Sequence, residues 1–390
     1  EILKGCHYKG GFDTVSIYLQ NNPDSHFFAS KGLILGGSHS PSPLNRNAHC
    51  GDLSAVLLQN LNPLVNLIRV PDKKIILMDE WESKIKAIVE STWKTDVNSL
   101  SGVPSWMLVL IKAVLQKTGS EYLTDVWPNM EVFFHGGISF EPYRDQYKAL
   151  IPSDRMHYME TYNASEGFFG LQNNPEEHSL LLMIDYSVFY EFIPINEVGE
   201  EHPTVLPLEA VEVGKNYAMV ITTSGGLWRY QIGDTVRFTS LYPHKFVISG
   251  RTKNFINAFG EELMVDNADK AISRVCRQTG AKVKEYTAAP LFMLDKAKGR
   301  HQWMIEFEKM PPSLDDFASL LDKTLQQLNS DYEAKRYKEI SLQPLEIRVA
   351  REGTFYEWLR RKGKLGGQHK IPRLSNDRTF IEELGKICDS

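Results

Sequence analysis

Apolar and polar residues fall in blocks along the chain, and the spacing inside each block predicts its element. WESKIKAIVEST, residues 81 to 92, places Trp81, Ile85, Ile88 and Val89 at the interval that gathers side chains on one face of a helix. Pro104 opens a second helical block, PSWMLVLIKAVLQKTG, at the first-turn position where a missing N–H costs nothing. Short apolar runs read as buried strands: GLILGG (Gly32 to Gly37) and Met130 to Phe134, the latter followed by His135, Gly136 and Gly137. After a helix, PYRDQYKAL, comes a second strand of this kind, HYMETYNASEG. Strand, helix and strand with glycine-bearing loops predict an α/β sheet whose ligands bind at the carboxyl ends of its strands.

Between Ser179 and Gly250 the pattern changes to shorter alternating runs, such as LLLMIDYSVFYEFIP and KNYAMVITTSGG, which predict antiparallel meanders. Past Thr252 it changes again. EELMVDNADKAISRVCRQTG reads as a helix, YTAAPLFML, HQWMIEFEK and QPLEIRVA as strands, and PPSLDDFASLLDKTLQQLNSDYEAKR as one long helix with Ser313 as its N-cap. The expected fold class is α/β (mixed α+β). Residues 1–250 form a large N-terminal domain and residues 251–390 a small α+β domain.

One block resists its own pattern. LWRYQIGDTVRF, residues 227 to 238, alternates like a half-buried strand but carries Gly233 and Asp234 in its middle. An interior Gly-Asp marks a bulge, a turn or a site. Asp234 can accept hydrogen bonds from two vicinal hydroxyls, as a ribose presents; a hairpin turn explains the same two residues without any ligand.

Three further places hold polar residues that a core would not select. In ETYNASEGFFG, Tyr162 beside Ala164 and Ser165 offers a flat apolar face suited to a purine, and Glu166 offers a hard oxygen to Mg²⁺; a turn with one solvated Glu is the plain alternative. Gly136 and Gly137 permit close backbone approach to a ligand, while His135 is assigned no chemistry. REGTFYEWLRRKGKLGGQHKIPR carries seven cations against two carboxylates, and Gly366 and Gly367 let Lys370 be presented to a phosphate. A solvated basic face accounts for the same run. SGRTKNF brings Arg251 and Lys253 to the expected domain boundary.

Composition narrows the classes. The 390 residues are 42% hydrophobic and 24% charged with a formal net charge of -5, which excludes a general nucleic-acid binder and gives no sign of disorder. No apolar run reaches membrane-spanning length, and no signal-peptide pattern opens the chain. Cys6, Cys50, Cys276 and Cys388 are scattered without a CxxC pair, as expected of reduced thiols in a cytoplasmic protein. No Ser-His-Asp or Cys-His arrangement calls for a role.

ETYNASEGFFG, FYEFIP, LWRYQIGDTVRF, SGRTKNF, NSDYEAKR, GTF and QHKIPR, in this order, resemble the acyl acid amido synthetases first described as auxin-responsive plant proteins, the Gretchen Hagen family, in its bacterial-type form. The family in turn resembles the adenylate-forming, luciferase-like superfamily. The resemblance implies a large N-terminal domain of β-barrel and α/β sheets, a small mobile C-terminal domain and an ATP site between them. It implies a ligase using ATP and Mg²⁺: a carboxylic acid is adenylated with release of pyrophosphate, and an amino acid's amine then displaces AMP. Tyr162 is similar to the family's adenine-stacking aromatic, Ser165 to a nucleotide contact, Glu166 to the Mg²⁺ or phosphate-side carboxylate and Asp234 to the ribose-binding Asp. Arg251 and Lys253 are similar to basic hinge residues, and Lys370 to the lysine that approaches the α-phosphate.

The family's phosphate loop is expected just before a helix like EILKGCHYKGG, where this sequence begins; omission from the sequence is the favoured explanation. An acyl-CoA ligase and a catalytically inactive nucleotide-binding homologue are the alternatives. No motif encodes the acid, the amino acid or the oligomeric state.

Overall fold

In the computed structural model the described residues are 2–37, 39–41, 49–141, 143–252, 255–259, 261–292, 299–336, 342–363, 365 and 371–389. Both kinds of strand pattern join in one twelve-stranded sheet. Lys31–Ile34, Arg69–Val70, Val97–Gly102, Val132–Gly136 and His157–Ala164 pair in parallel. Gly167–Leu171, Leu180–Leu182, His244–Arg251, Tyr230–Leu241, Asn216–Thr223, Val188–Pro194 and Leu206–Pro207 continue the sheet in antiparallel pairing.

Helices Trp81–Thr92 and Pro104–Thr118 bury the faces their spacing predicts. Trp81, Ile85, Ile88 and Val89 pack with Leu33, Leu100 and Phe133 of the parallel strands in one apolar cluster. The strand predicted at Met130 to Phe134 instead spans Val132–Gly136, because its register is set by pairing with strand 157–164. That shift puts His135 and Gly136 inside the sheet.

The antiparallel half curls. Strand 157–164 lies four places from strand 230–241 in the sheet, about 19 Å if the sheet were flat at ~4.8 Å per strand. Yet Tyr162 of the first hydrogen-bonds Asp234 of the second at 2.5 Å. The intervening strand Leu180–Leu182 has only three residues, so the sheet can fold over its short span. Inside the curl Phe169, Phe192, Tyr217, Phe238 and Phe246 form a second apolar cluster. The barrel character implied by the resemblance takes this form, and the curled half is continuous with the parallel half.

From residue 255 on, Lys282–Phe292, Gly299–Lys309 and Glu346–Ala350 make a separate three-stranded sheet. Helices Val265–Thr279 and Leu314–Leu328 cover it through Ala268, Ile272, Phe317 and Leu321. Val265–Thr279 starts later than its predicted block, since Leu263–Met264 pairs as a strand with Phe255–Ile256. Ser313 caps the second helix as expected, accepting from the Asp316 N–H at 3.2 Å. Among the described residues, no helix is long and apolar enough to cross a membrane, and Cys6, Cys276 and Cys388 are free.

The single long helix expected over residues 313 to 336 is two. Asn329 leaves the helical region (φ -144°, ψ 110°) and begins a new helix, Ser330–Arg336. Its Oδ1 accepts from the Tyr332 N–H at 2.6 Å, and its Nδ2 donates to the Glu262 carbonyl at 3.0 Å. A side chain that caps the next helix competes with continuing the last one. Asn329→Ala should therefore cost about 1–2 kcal/mol in urea unfolding, the usual loss of a cap.

Candidate active site

Gly233 and Asp234 lie within a strand. Strand 230–241 pairs Gln231 with Val220 and Thr235 with Ala218, so Ile232, Gly233 and Asp234 all face the single residue Met219. The hairpin alternative is thereby replaced by a bulge, a device that re-aims a side chain. Gly233 supplies the φ of +85° that an L-residue adopts only under strain. Its carbonyl accepts from the Thr252 N–H at 2.8 Å.

The re-aimed Asp234 is gripped from two sides. Tyr162 Oη donates to Oδ2 at 2.5 Å, and Arg251 Nε donates to Oδ1 at 2.7 Å. A carboxylate has about four lone-pair sites, so both oxygens retain capacity for a further hydroxyl. The Asp234 side chain is 13% exposed and that of Arg251 49%, which places the carboxylate at the floor of the site and the guanidinium at its rim.

Tyr162 departs from expectation. Its ring is 6% exposed and meets Phe169 and Phe246 edge-on at 5.0 and 6.1 Å, because the curl of the sheet packs it inside. The open flat face expected for a purine is absent here; the site receives the hydroxyl. Burial first, and then the Asp234 charge, hold the phenol's pKa well above its ordinary value, so it stays a donor.

Ser165 and Glu166 form the turn between strands 157–164 and 167–171, where Ala164 pairs with Gly167. Ser165 is exposed. Glu166 is partly exposed, makes no hydrogen bond among the described residues, and its charge acts on both Tyr162 and Arg251. Tyr162, Glu166, Asp234 and Arg251 are thus brought together from segments far apart in the chain. Lys253 and Lys370 lie outside the described residues.

Gly136 and Gly137 have a backbone explanation. A Cβ on Gly136 would lie 2.3 Å from the Thr161 carbonyl oxygen of the paired strand, and Gly137 has φ +86°. His135 stacks on Phe140 at 4.3 Å, and burial, with the Arg144 charge adding, pushes its pKa down to about 3. It is a neutral, packed ring.

Three neighbours of the site escaped the sequence reading. Residues Leu3–Tyr8 wind as a π-helix, a form concentrated at functional sites. From it Cys6 Sγ accepts from the Phe168 N–H at 2.9 Å, and His7 Nδ1 meets Asn163 Oδ1 at 2.7 Å. Both hold the strands on either side of the Ser165–Glu166 turn. Glu160 lies on the face of strand 157–164 that carries Tyr158 and Tyr162, opposite His135. Its one available signal was that alternation, a carboxylate at an inward position.

Comparison with known proteins places these residues in a family. The sequence matches the GH3 family N-terminal domain over residues 6–156, the GH3 family central domain over 181–251 and the GH3 family C-terminal domain over 266–379. The chain belongs to the GH3 family. It is 30% identical over 335 residues to an Arabidopsis thaliana protein named indole-3-acetic acid-amido synthetase GH3.4, covering 78% of this chain and 53% of that one. It is 27% identical over 347 residues to the Arabidopsis thaliana 4-substituted benzoates-glutamate ligase GH3.12, covering 79% and 59%. The chain therefore spans about half the length of the curated relatives it matches. Among solved structures, the GH3.15 acyl acid amido synthetase superposes with a TM-score of 0.75 at 17% identity, over 95% of this chain and 75% of that one. The GH3 fold is shared across these proteins.

Burial raises the Glu160 pKa from 4.5 to about 7, with Arg144 opposing and Asp266 adding. A carboxyl raised on folding favours the folded state fully below pH ~4.5 and loses that advantage as pH climbs through ~7. Glu160→Gln should flatten this slope. The difference in unfolding free energy between pH 5 and pH 8, read from urea titrations, is expected to shrink by at most about 3 kcal/mol, at about 1.4 kcal/mol per pKa unit, and by less where water still reaches the carboxyl.

Proposed function

We propose that the protein is an ATP-dependent acyl acid amido synthetase, a ligase that joins a carboxylic acid to the amine of an amino acid. The observation that carries this reading is the Asp234 carboxylate, raised on a bulge and steadied by Tyr162 and Arg251 with lone pairs to spare. Family membership supplies the rest of the frame. Residues 1–250 would bind the nucleotide and the acid, and residues 251–390 would be the mobile unit.

In the first step an oxygen of the acid attacks the α-phosphorus of ATP, and the bond to pyrophosphate breaks. In the second the amine attacks the acyl carbon, AMP leaves with the former carboxylate oxygen, and the amine's proton passes to solvent. Asp234 accepts from the ribose hydroxyls, and Tyr162 and Arg251 stop it from turning away. Ser165 and the backbone at Gly136 and Gly137 lie beside the nucleotide. Arg251, Lys253 and Lys370 offset negative charge on the phosphates, a role that needs no covalent nucleophile. Glu166 fits a Mg²⁺ held mainly by phosphate oxygens, since its carboxylate has no partner among the described residues and the ion takes one or two carboxylates. When bound, the ion neutralises phosphate charge.

The two curated relatives name different acids, indole-3-acetic acid and 4-substituted benzoates, so the acid does not follow from the family. A cytoplasmic location is part of the same proposal.

Exchange of labelled pyrophosphate into ATP should depend on an added carboxylic acid and on Mg²⁺. With a panel of acids, amino acids should release AMP faster than CoA does; no exchange with any acid would overturn the proposal. Asp234→Ala should raise KM for ATP by about 10–100-fold, the range expected from losing a hydrogen bond to a charged group, while the circular dichroism spectrum stays unchanged. An unaltered KM would return Asp234 to a purely structural bulge.

A further inference from the structure

The apolar clusters built before residue 252 and those built after 255 are closed within themselves, apart from Trp106 and Leu365, which pack against both. Between them the contacts are mostly polar. Lys112 meets Glu308 at 2.8 Å, Arg237 meets Asp266 at 2.9 Å, and Tyr356 donates to Glu82 at 3.1 Å. Such contacts are individually weak when water reaches them.

One group differs in kind. Arg373 forms an ion pair with Glu285 at 3.0 Å, donates through Nη2 to Tyr143 Oη at 2.7 Å, and lies 4.5 Å from the centre of the Tyr286 ring. Tyr143 in turn donates to Glu285 Oε1 at 3.3 Å. Glu285 Oε2 accepts no aligned hydrogen bond, so the Tyr143 hydroxyl supplies the one that this carboxylate receives among the described residues. Tyr143 is 3% exposed and belongs to the apolar cluster of the first unit; Arg373, Glu285 and Tyr286 belong to the second. Turning the second unit keeps the Arg373–Glu285 pair but strips it of the one hydroxyl that both accepts from the cation and donates to the anion. Half-satisfied polar groups of this kind are costly, so the cluster favours one orientation sharply.

We infer that Tyr143, Arg373 and Glu285 form a latch that holds the unit after residue 255 in this orientation and must open before that unit turns. The latch concerns orientation alone. It bears on the proposed reaction only because Arg373 follows Lys370 by three residues in the sequence.

Lys112 and Glu308 give a reporter on the same interface. In a chain carrying Lys112→Cys and Glu308→Cys, a short bis-maleimide should join the two positions, with each single substitution as control for the native cysteines. Adding Tyr143→Phe, which removes one oxygen and keeps the ring, should slow joining about tenfold, the effect of losing a hydrogen bond to charged partners. Arg373→Lys, which keeps the charge without the two-armed geometry, should act alike. Tyr356→Phe, at an exposed contact, should slow joining less than about twofold. Equal rates with and without Tyr143→Phe, in a variant that circular dichroism shows to be folded, would overturn the latch. No substrate enters this measurement, so absent pyrophosphate exchange would overturn the proposed reaction and leave the latch standing.

Discussion

The hydrogen bond from Tyr162 to Asp234 is the contact on which the site's shape depends. It joins the last parallel strand to a strand four places away, so it exists only because the sheet curls. The curl is in turn filled by Phe169, Phe192, Phe238 and Phe246, whose burial is the larger energetic term at roughly 1.5–3 kcal/mol for each side chain. Aromatic packing bends the sheet, and the bend delivers the phenol to the carboxylate. A change that relaxed the curl would dissolve the site without touching a polar residue.

Much of this was legible beforehand. The helices at 81–92 and 104–118 followed their spacing because apolar positions on a helix face leave a direct trace in sequence. The Gly233–Asp234 interruption was visible for the same reason: glycine and aspartate are poor strand residues, so their presence marks a demand from elsewhere. Whether that demand was a turn or a bulge depended on strand 216–223, which lies opposite and is distant in the pattern. Tyr162 shows a similar limit. Its residue type fits both an exposed platform and a buried donor, and only the curl decides between them.

What escaped the reading shares a physical cause. Cys6 and His7 matter through a π-turn docked onto strands some 160 residues later, a pairing with no local signature. Asn329 splits a helix through bonds to Glu262 and Asn267, again from a distant segment. Glu160 stood in plain alternation with two tyrosines, yet a carboxylate in such a place announces nothing until its neighbours are known. Side chains whose role is set by tertiary partners stay silent in one sequence.

The two halves of the molecule differ in what holds them internally and what holds them together. Each has its own apolar core, and apolar burial is non-directional, so cores alone would fix no particular orientation between them. Polar contacts do, because hydrogen bonds require alignment. Most of those across the interface are near water and exchange readily. The Tyr143 hydroxyl, buried between a cation and an anion, cannot be replaced by water without opening the interface. Of the charged contacts across this interface the Tyr143 cluster is the buried one, beside the neutral Gln146–Val283 bond, and a unit so attached has two well-separated states: latched, with every charge in the cluster partnered, or turned, with that cluster hydrated.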